Sequence, residues 1–274
     1  MTAEVSGLTL YEQLRDRIRN EERVGLVTVV DGPNVGAKLL IDSDGAVHGT
    51  LGDPELDRIV GRDALAELEA ATTGMRHYGP HGQTTPEDLI DQVTVSVFVE
   101  SFSPPPQMWI FGAVDFTAAL AKVAKVLGYR VTVCDAREVF ATRRRFPMAD
   151  EVLVSWPAPL FAGRGSELGP RDAVCVLTHD SKFDVPAVMG AIGTNVGYIG
   201  VMGSRKTHDK RMHRLAEAGL VAPDQVARLM SPIGLDIGAR TPEETAISIC
   251  AEIIARRTGR VTPSLRDGDG AIHS

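Results

Sequence analysis

The sequence is short of several features that would assign it quickly to a class of protein. It has three cysteines and 5% aromatic residues among 274 residues. Its longest apolar runs fall well short of the ~20 residues that a membrane-spanning helix needs. It also lacks an excess of positive charge, because the formal net charge is -7. We therefore expect neither a membrane span nor nucleic-acid binding by general attraction to phosphate.

The cysteines and the N-terminus indicate a cytoplasmic protein. Cys134, Cys175 and Cys250 lie far apart inside apolar segments, which predicts buried thiols in a reducing compartment. No Cys/His spacing resembles a zinc site, so no metal site is predicted. The first 23 residues are typical of a charged amphipathic helix rather than a signal peptide. The one basic cluster, Arg143 to Arg145, is expected to be a solvated surface.

The first part of the chain predicts an α+β domain. A helix is expected over residues 8–22, and another over "ELDRIVGRDALAELEAATTG", ending near Gly74. Short alternating or β-branched runs predict strands at "RVGLVTVVD", "AKLLIDSDGAVHGTLG" and "DQVTVSVFVESF". Three prolines follow, and a run of proline continues neither a strand nor a helix. We place a domain boundary there, giving an N-terminal domain over residues 1–103.

After the prolines, strands and helices alternate. The predicted strands are "QMWIFGA", "RVTVCDA", "EVLVS", "AVCVLTHD" and "VGYIGVMG", and the predicted helices are "FTAALAKVAKVLG", "DVPAVMGAIGT", "KTHDKRMHRLAEAG" and "TPEETAISICAEIIARRTG". Such alternation is typical of an α/β fold with a parallel sheet covered by helices on both faces. We therefore expect a Rossmann-like domain over residues 104–262, followed by a flexible tail over residues 263–274.

The first strand, turn and helix of this domain have the layout of a dinucleotide site with a changed turn. The turn reads G-A-V-D-F-T. Gly112 keeps the glycine of the sharp turn, whereas Val114 and Thr117 stand where glycines usually approach the pyrophosphate and the helix. Asp115 adds negative charge at the helix entrance, or is itself the N-cap residue.

The second strand ends with an acidic residue at the spacing of a ribose-binding group. Asp135 lies 23 residues after Gly112, and Arg137 follows it closely. An acid about 20 residues beyond the glycine turn binds a ribose hydroxyl in dinucleotide folds. Three interpretations stay open for this stretch: a dinucleotide site, a changed site, or a fold that has lost its ligand.

Two later strand ends carry polar groups that suit an anionic ligand. His179 and Asp180 follow the strand "AVCVL" and would reach the ligand crevice, or Asp180 would only cap the next helix. Gly203, Ser204, Arg205 and Lys206 combine a hydroxyl and two cations at a helix N-terminus, which favours an anion site. In the alternative interpretation Ser204 is a cap and both cations are solvated.

The segment before the last helix holds a further candidate. Thr241 and Glu244 have the spacing of a capping box, in which each side chain bonds to the other residue's backbone. Asp236 lies between Gly234 and Gly238, and these glycines permit a tight, exposed loop. We therefore treat Asp236 as a ligand-binding or interface residue.

The second half of the chain contains the stretches "VLTHDSKFDVPAV", "YIGVMGSRKTHDKR" and "MSPIGLDIGARTPEETAISICAEIIARRTGR". These stretches closely resemble the Rossmann-like domain of the XdhC/CoxI family. Members of this family are accessory factors of molybdenum hydroxylases such as xanthine dehydrogenase and carbon monoxide dehydrogenase. The resemblance implies binding of molybdenum cofactor, either molybdopterin or its dinucleotide, and delivery to a molybdenum hydroxylase apoenzyme. It also implies a homodimer and contact with a cysteine desulfurase.

The sequence departs from the family pattern at three motifs. The family's Ser, Thr and Arg are missing from residues 31–35, its cysteine is missing from residues 50–55, and its glycine turn is changed at residues 112–117. Two alternatives follow: an NAD(P)-dependent oxidoreductase on the same fold, with His179 as proton donor, or a degenerate paralogue that binds only protein. No catalytic base is identified by the sequence.

Overall fold

The row of prolines at residues 104–106 separates two kinds of structure. We describe the protein from a computed structural model over residues 9–79 and 94–262. The chain divides into two compact units, Met1–Pro104 and Pro105–Ser274. The tail predicted at residues 263–274 lies outside the described residues. Within the described ranges, no helix has the length and the apolar character needed to cross a membrane.

The first unit is a five-stranded antiparallel sheet with one helix packed on it. Its strand order is β3-β2-β1-β5-β4. The core lies between the sheet and α2, where Val27, Leu39, Ile59 and Val97 are buried. The elements are α1 (Leu10–Arg19), β1 (Val24–Asp31), β2 (Lys38–Asp42), β3 (Val47–Thr50), α2 (Pro54–Ala70), β4 (Gly74–Tyr78) and β5 (Val95–Phe102).

The start of this unit is held by charge as well as by apolar packing. No residue of α1 is buried. Instead, Arg17 forms two hydrogen bonds to the carboxylate of Asp42 (2.5 and 2.8 Å), and His48 contacts the same carboxylate at 2.8 Å. This half-buried cluster ties α1 to β2 and β3.

The second unit is a parallel sheet, as the sequence predicts, but it has six strands where the sequence indicates five. Its strand order is β8-β7-β6-β9-β10-β11, which is the order of dinucleotide-binding folds. The strands are β6 (Gln107–Phe111), β7 (Arg130–Asp135), β8 (Glu151–Val154), β9 (Ala173–Val176), β10 (Tyr198–Val201) and β11 (Leu229–Met230). The helices are α3 (Asp115–Val126), α4 (Pro157–Arg164), α5 (Ser181–Ile192), α6 (Arg205–Glu217), α7 (Pro223–Ala227) and α8 (Pro242–Thr258).

Helices cover both faces of this sheet, and β6 shows why. Successive side chains of a strand point to opposite faces. Met108 and Ile110 accordingly pack in the core beneath α3 and α8, whereas Trp109 and Phe111 pack in the core beneath α4, α5 and α6. Every residue of β9 and β10 is buried, so these strands are apolar throughout rather than alternating.

The helix after β9 begins earlier than the sequence predicts. The predicted helix, "DVPAVMGAIGT", starts at Asp184. In the structure Asp180 is the N-cap residue, and its side chain accepts a hydrogen bond from the Lys182 amide (3.0 Å). Asp184 consequently lies inside α5, where its side chain is buried.

Gly112 is required where the loops after β6 and β9 meet. Its φ is +112°, and a Cβ at this position would lie 3.0 Å from the Thr178 amide nitrogen and 3.1 Å from Thr178 Cβ. Both the backbone conformation and the space therefore exclude a side chain. The glycine is explained by contact between two loops of the protein.

We expect Gly112→Ala to destabilise the protein by about 2–3 kcal/mol, because positive φ and crowding against Thr178 add together. Gly128→Ala is the matched control, since Gly128 has a φ of +81° with no atom within 4 Å of the added Cβ. It should cost about 1 kcal/mol from backbone strain alone. The measurement is the free energy of unfolding from urea titration. Equal losses in the two variants would contradict the crowding.

Candidate functional site

The candidate site lies at the carboxyl edge of the parallel sheet. Ligands of open α/β sheets bind at this edge, near the point where the strand order reverses. Here the reversal falls between β6 and β9. The ends of β6, β7, β9 and β10, together with the segments that follow them, carry all of the predicted ligand residues except Asp236.

The polar groups of the β6 turn are bonded within the protein. The Gly112 amide donates to the Cys134 carbonyl (2.9 Å), and the Ala113 amide donates to Asp135 Oδ2 (2.7 Å). The buried hydroxyl of Thr117 donates to the Gly112 carbonyl. These groups form a closed network, so the first two amides of the turn are not directed at a ligand in this structure. Ligand binding by Gly112 stays a prediction.

Asp115 lies in the first turn of α3 but does not cap this helix. The N-cap residue is Val114, and the side chain of Asp115 is 90% exposed. In the arginine cluster, the expected solvated surface is confirmed for Arg143 and Arg144, which are exposed. Arg145 is half-buried and donates to the Ala113 carbonyl (3.0 Å).

Asp135 holds the turn together with Arg137. Its Oδ1 accepts from the Arg137 amide and from Arg137 Nε, both at 2.9 Å, and its Oδ2 accepts from Arg137 Nη2 at 2.8 Å and from the Ala113 amide. Burial acts to raise the pKa of Asp135, but the hydrogen bonds from Arg137 and Ala113 outweigh it and hold the pKa below its ordinary value. The guanidinium of Arg137 also stacks on the Phe140 ring at 4.6 Å. Contact of either residue with a ribose stays a prediction.

A cationic cleft lies between α5 and α6, beyond the ends of β9 and β10. Its volume is about 130 Å³. His179 and Lys206, both predicted from the sequence, line it. The other lining residues are Ser181, Asp184, Val185, Thr207, Lys210, Arg211 and Arg214. Four cationic side chains surround this small space, and one carboxylate lies among them, so the cleft suits an anionic headgroup.

The base of the cleft is a buried ion pair. Arg211 and Asp184 are 4% and 3% exposed. Arg211 Nη2 donates to the Met202 carbonyl at 2.8 Å and to Asp184 Oδ2 at 3.3 Å, and Arg211 Nη1 donates to Ser231 Oγ at 3.3 Å. Asp184 Oδ1 is also buried, and no donor meets the distance and angle of a hydrogen bond with it, although the Thr178 hydroxyl is close enough to lower the pKa of Asp184. By its geometry, this oxygen is therefore an unsatisfied acceptor of a residue that lines the cleft.

The pKa of Asp184 reflects this position. Burial raises it from 3.8 to about 6, although the charge and hydrogen bond of Arg211, the nearby His179 and the Thr178 hydroxyl all act to lower it. Desolvation is therefore stronger than the attraction of the surrounding cations. The carboxyl group takes up a proton about two pH units above the usual range for aspartate.

The remaining predicted residues support the cleft or lie outside its lining. Gly203 has a φ of +150°, and a Cβ there would lie 3.2 Å from the Thr207 side chain. Ser204 caps α6, with its hydroxyl accepting from the Thr207 amide at 3.2 Å. Arg205 is exposed, and Asp236 is exposed in the loop before α8. The lining of the cleft does not include Asp180, Arg205 or Asp236.

Three cleft cations were missed, and the sequence contains a signal for two of them. Lys206, Lys210 and Arg214 recur every fourth residue along α6, and residues four apart lie on one face of a helix. That spacing marks a cationic stripe starting from the predicted Lys206, and the third missed cation is Arg211. The pair of Asp184 with Arg211 has no comparable signal, because its members are 27 residues apart.

The first unit contains a second cavity where two altered motifs meet. Its volume is about 610 Å³, and its lining includes Pro33 and Asn34 from one motif and Leu51, Gly52 and Asp53 from the other. Asn34 Nδ2 donates to the Leu51 carbonyl (3.1 Å), and a Cβ on Gly52 would meet that nitrogen at 2.1 Å. A cysteine therefore does not fit at position 52 unless Asn34 moves.

The thiols of the protein are buried, as the sequence predicts. Cys134, Cys175 and Cys250 are free cysteines without solvent exposure of consequence. Burial raises the pKa of Cys134 to about 12 and that of Cys250 to about 11, so both thiols are protonated at neutral pH. In the parts of the chain that the structure describes, no three His, Cys, Asp or Glu side chains come together as metal ligands.

Comparison with known proteins relates both units to one family. Residues 108–253 match the XdhC Rossmann domain, and residues 17–79 match the XdhC and CoxI family. Over 164 residues, the chain is 34% identical to a probable xanthine dehydrogenase subunit from Bacillus subtilis. These residues make up 60% of this chain and 47% of that protein. Over 160 residues, it is 25% identical to the molybdenum cofactor insertion chaperone PaoD of Escherichia coli. These residues make up 58% of this chain and 43% of that protein.

The matched regions make up only part of the curated relatives. The chain spans less than half the length of the curated proteins that it matches. A crystal structure of a xanthine dehydrogenase from Bacillus halodurans aligns with 91% of this chain and 96% of its own, with a TM-score of 0.52 and 22% identity. That likeness supports the fold alone.

The raised pKa of Asp184 predicts a pH-dependent stability. Because the folded protein holds this proton more tightly than the unfolded chain, Asp184 favours folding most below about pH 4. This advantage is lost as the pH rises from about 4 to about 6. The informative quantity is the difference in the free energy of unfolding between the wild type and Asp184→Asn. We expect this difference, wild type minus variant, to fall across this pH window and to stay level above it. Urea titrations at about pH 4 to 8 measure the difference, and a difference that rises with pH would contradict the assignment.

Proposed function

The chain belongs to the XdhC and CoxI family, and on this basis we propose that it is an accessory factor for a molybdenum hydroxylase. In this role it binds molybdenum cofactor, as molybdopterin or its dinucleotide, and assists insertion of the cofactor into the apoenzyme. Hydroxylases such as xanthine dehydrogenase and carbon monoxide dehydrogenase are the proposed clients. The names of two relatives, a molybdenum cofactor insertion chaperone and a probable xanthine dehydrogenase subunit, support the proposal.

One observation carries the ligand part of the proposal, namely the cationic cleft between α5 and α6. Molybdenum cofactor carries phosphate on its pterin, and phosphate needs cations and hydrogen-bond donors in a small space. Lys206, Lys210 and Arg214 supply exposed cations, and His179 supplies a ring nitrogen. Arg211, which is fixed by the Met202 carbonyl and Ser231, supplies an oriented charge at the base.

The size of the cleft limits what we assign to it. Pockets that enclose whole small molecules usually measure about 300–1,000 Å³, and this cleft measures about 130 Å³. We therefore assign only the phosphate of the cofactor to it. Among the predicted residues, we propose His179 and Lys206 as direct ligands, with Gly203 and Ser204 shaping the N-terminus of α6. Roles for Gly112, Asp135, Arg137, Asp180, Arg205 and Asp236 stay predictions, as do a homodimer and a cysteine desulfurase partner.

An NAD(P)-dependent oxidoreductase is the second candidate. The strand order favours it, because this order is that of dinucleotide-binding folds. The bonded amides of Gly112 and Ala113 weigh against it, since a pyrophosphate needs amides that are free to donate. Titration with NADH and NADPH separates the two functions, and absence of binding at millimolar concentrations would remove this candidate.

The cofactor proposal predicts that molybdenum and pterin are retained by the protein purified from cells that make the cofactor. Lys210→Ala with Arg214→Ala should retain much less of both. A hydrogen bond to a charged group contributes about 1.5–3 kcal/mol, so each lost cation should weaken binding about tenfold or more. Metal analysis and pterin fluorescence of the purified proteins measure retention.

The matched control is Lys122→Ala with Arg144→Ala. Both residues are exposed and lie outside the cleft lining, so this variant has the same change in net charge. It should retain cofactor like the wild type. Absence of molybdenum and pterin from the wild type, together with no binding of added cofactor, would refute the proposal.

A further inference from the structure

We infer that the cleft between α5 and α6 selects an oxyanion that carries a hydrogen over one that carries none, and that Asp184 makes this selection. The favoured ligand class is a phosphate that brings a hydrogen, either hydrogen phosphate or the monoanion of a terminal phosphate group. The disfavoured class is sulfate or a phosphodiester, whose oxygens carry no hydrogen at neutral pH. The inference rests on the anion site of the proposed function and deepens it, because it favours the terminal phosphate of molybdopterin over the pyrophosphate of the dinucleotide.

The unsatisfied oxygen of Asp184 is the first observation. Asp184 lines the cleft and is 3% exposed, and its Oδ1 has no partner in hydrogen-bonding geometry. Arg211 contacts the other oxygen, Oδ2. A buried acceptor without a donor is unfavourable, so this site gains from a ligand that brings a donor. A ligand hydroxyl meets that requirement.

The charges around Asp184 are the second observation. Lys206, Lys210, Arg211 and Arg214 line the cleft from α6, and His179 lines it from the loop after β9. Cations alone would accept any oxyanion. An ionised carboxylate can only accept hydrogen bonds, so it repels an oxyanion that has no hydrogen and binds one that donates. Asp184 therefore converts a general anion site into a selective one.

Protonation of Asp184 should remove the selection. Burial raises the pKa of this carboxyl group to about 6, and α5 contributes no other titratable group to the lining. The lining residues come from α5, α6 and the loop after β9, and none comes from α4. Below about pH 6 the protonated carboxyl becomes a donor. It can then bond to an oxygen of sulfate.

The test compares inorganic phosphate with sulfate, because hydrogen phosphate keeps a hydrogen at neutral pH and sulfate does not. Binding is measured by titration calorimetry on the full chain at constant ionic strength. At about pH 7.5 the wild type should bind phosphate at least about tenfold more tightly than sulfate, the effect of one hydrogen bond to a charged group. At about pH 5 this preference should be lost. Equal affinities at the higher pH, or no binding of either anion, would overturn the inference.

Variants separate Asp184 from the general charge of the cleft. Asp184→Asn should bind sulfate about as tightly as phosphate at the higher pH, because an amide donates hydrogen bonds. Asp209→Asn removes the same charge from an exposed residue of α6 outside the lining, and it should keep the preference for phosphate. His179→Gln should weaken the binding of both anions, because His179 is a proposed ligand, but it should keep the ratio of their affinities and the loss of this ratio at low pH. A preference that survives in Asp184→Asn would contradict the assignment.

A measurement on the wild type alone guards against a variant that fails to fold. Sulfate binding at about pH 6.5 should be accompanied by proton uptake, detected as a dependence of the binding heat on the ionisation heat of the buffer. Sulfate binding without proton uptake would also overturn the inference. Retention of molybdenum and pterin is measured separately, so failure of the selectivity and failure of the proposed function give different results.

Discussion

The buried guanidinium of Arg211 organises the carboxyl edge of the parallel sheet. It joins the loop after β10 through the Met202 carbonyl, the segment after β11 through Ser231, and α5 through Asp184. A buried arginine is stable only when acceptors surround it, so these segments must stay in register with α6. The cleft depends on this arrangement, because its other cations extend from the helix that Arg211 fixes.

The strand ends on the two sides of the switch point differ in whether their polar groups find hydrogen-bond partners within the protein. After β6, the backbone amides, the Ala113 carbonyl and the Asp135 carboxylate bond to one another and to Arg137 and Arg145. After β9 and β10, four cationic side chains surround a single carboxylate, and one oxygen of Asp184 is left without a donor. Unsatisfied groups at a concave site favour a ligand, which is why we propose the later strand ends, rather than the glycine turn, as the anion site.

The first unit presents a different kind of site. Its cavity is larger than the cleft, and the two segments that line it are those in which the sequence departs from the family pattern. The carboxylate of Asp53 lies in this lining but caps α2 through the Glu55 and Leu56 amides.

The sequence by itself determined the architecture and several local contacts. Repeated β-branched runs between amphipathic helices predicted the parallel sheet, and the spacing of Thr241 and Glu244 predicted the capping box that the structure contains. Short or shifted elements were missed, among them β4, α4 and the first turn of α5, because local patterns are weak where tertiary packing or a single cap decides the boundary. The pairing of Asp184 with Arg211, the closed network around Asp135 and the meeting of Gly112 with Thr178 were decided only by the tertiary structure. These contacts join residues that are distant along the chain, or they depend on how many hydrogen-bond partners a polar group finds in the folded protein. The spacing of residues along one strand or helix contains neither kind of information.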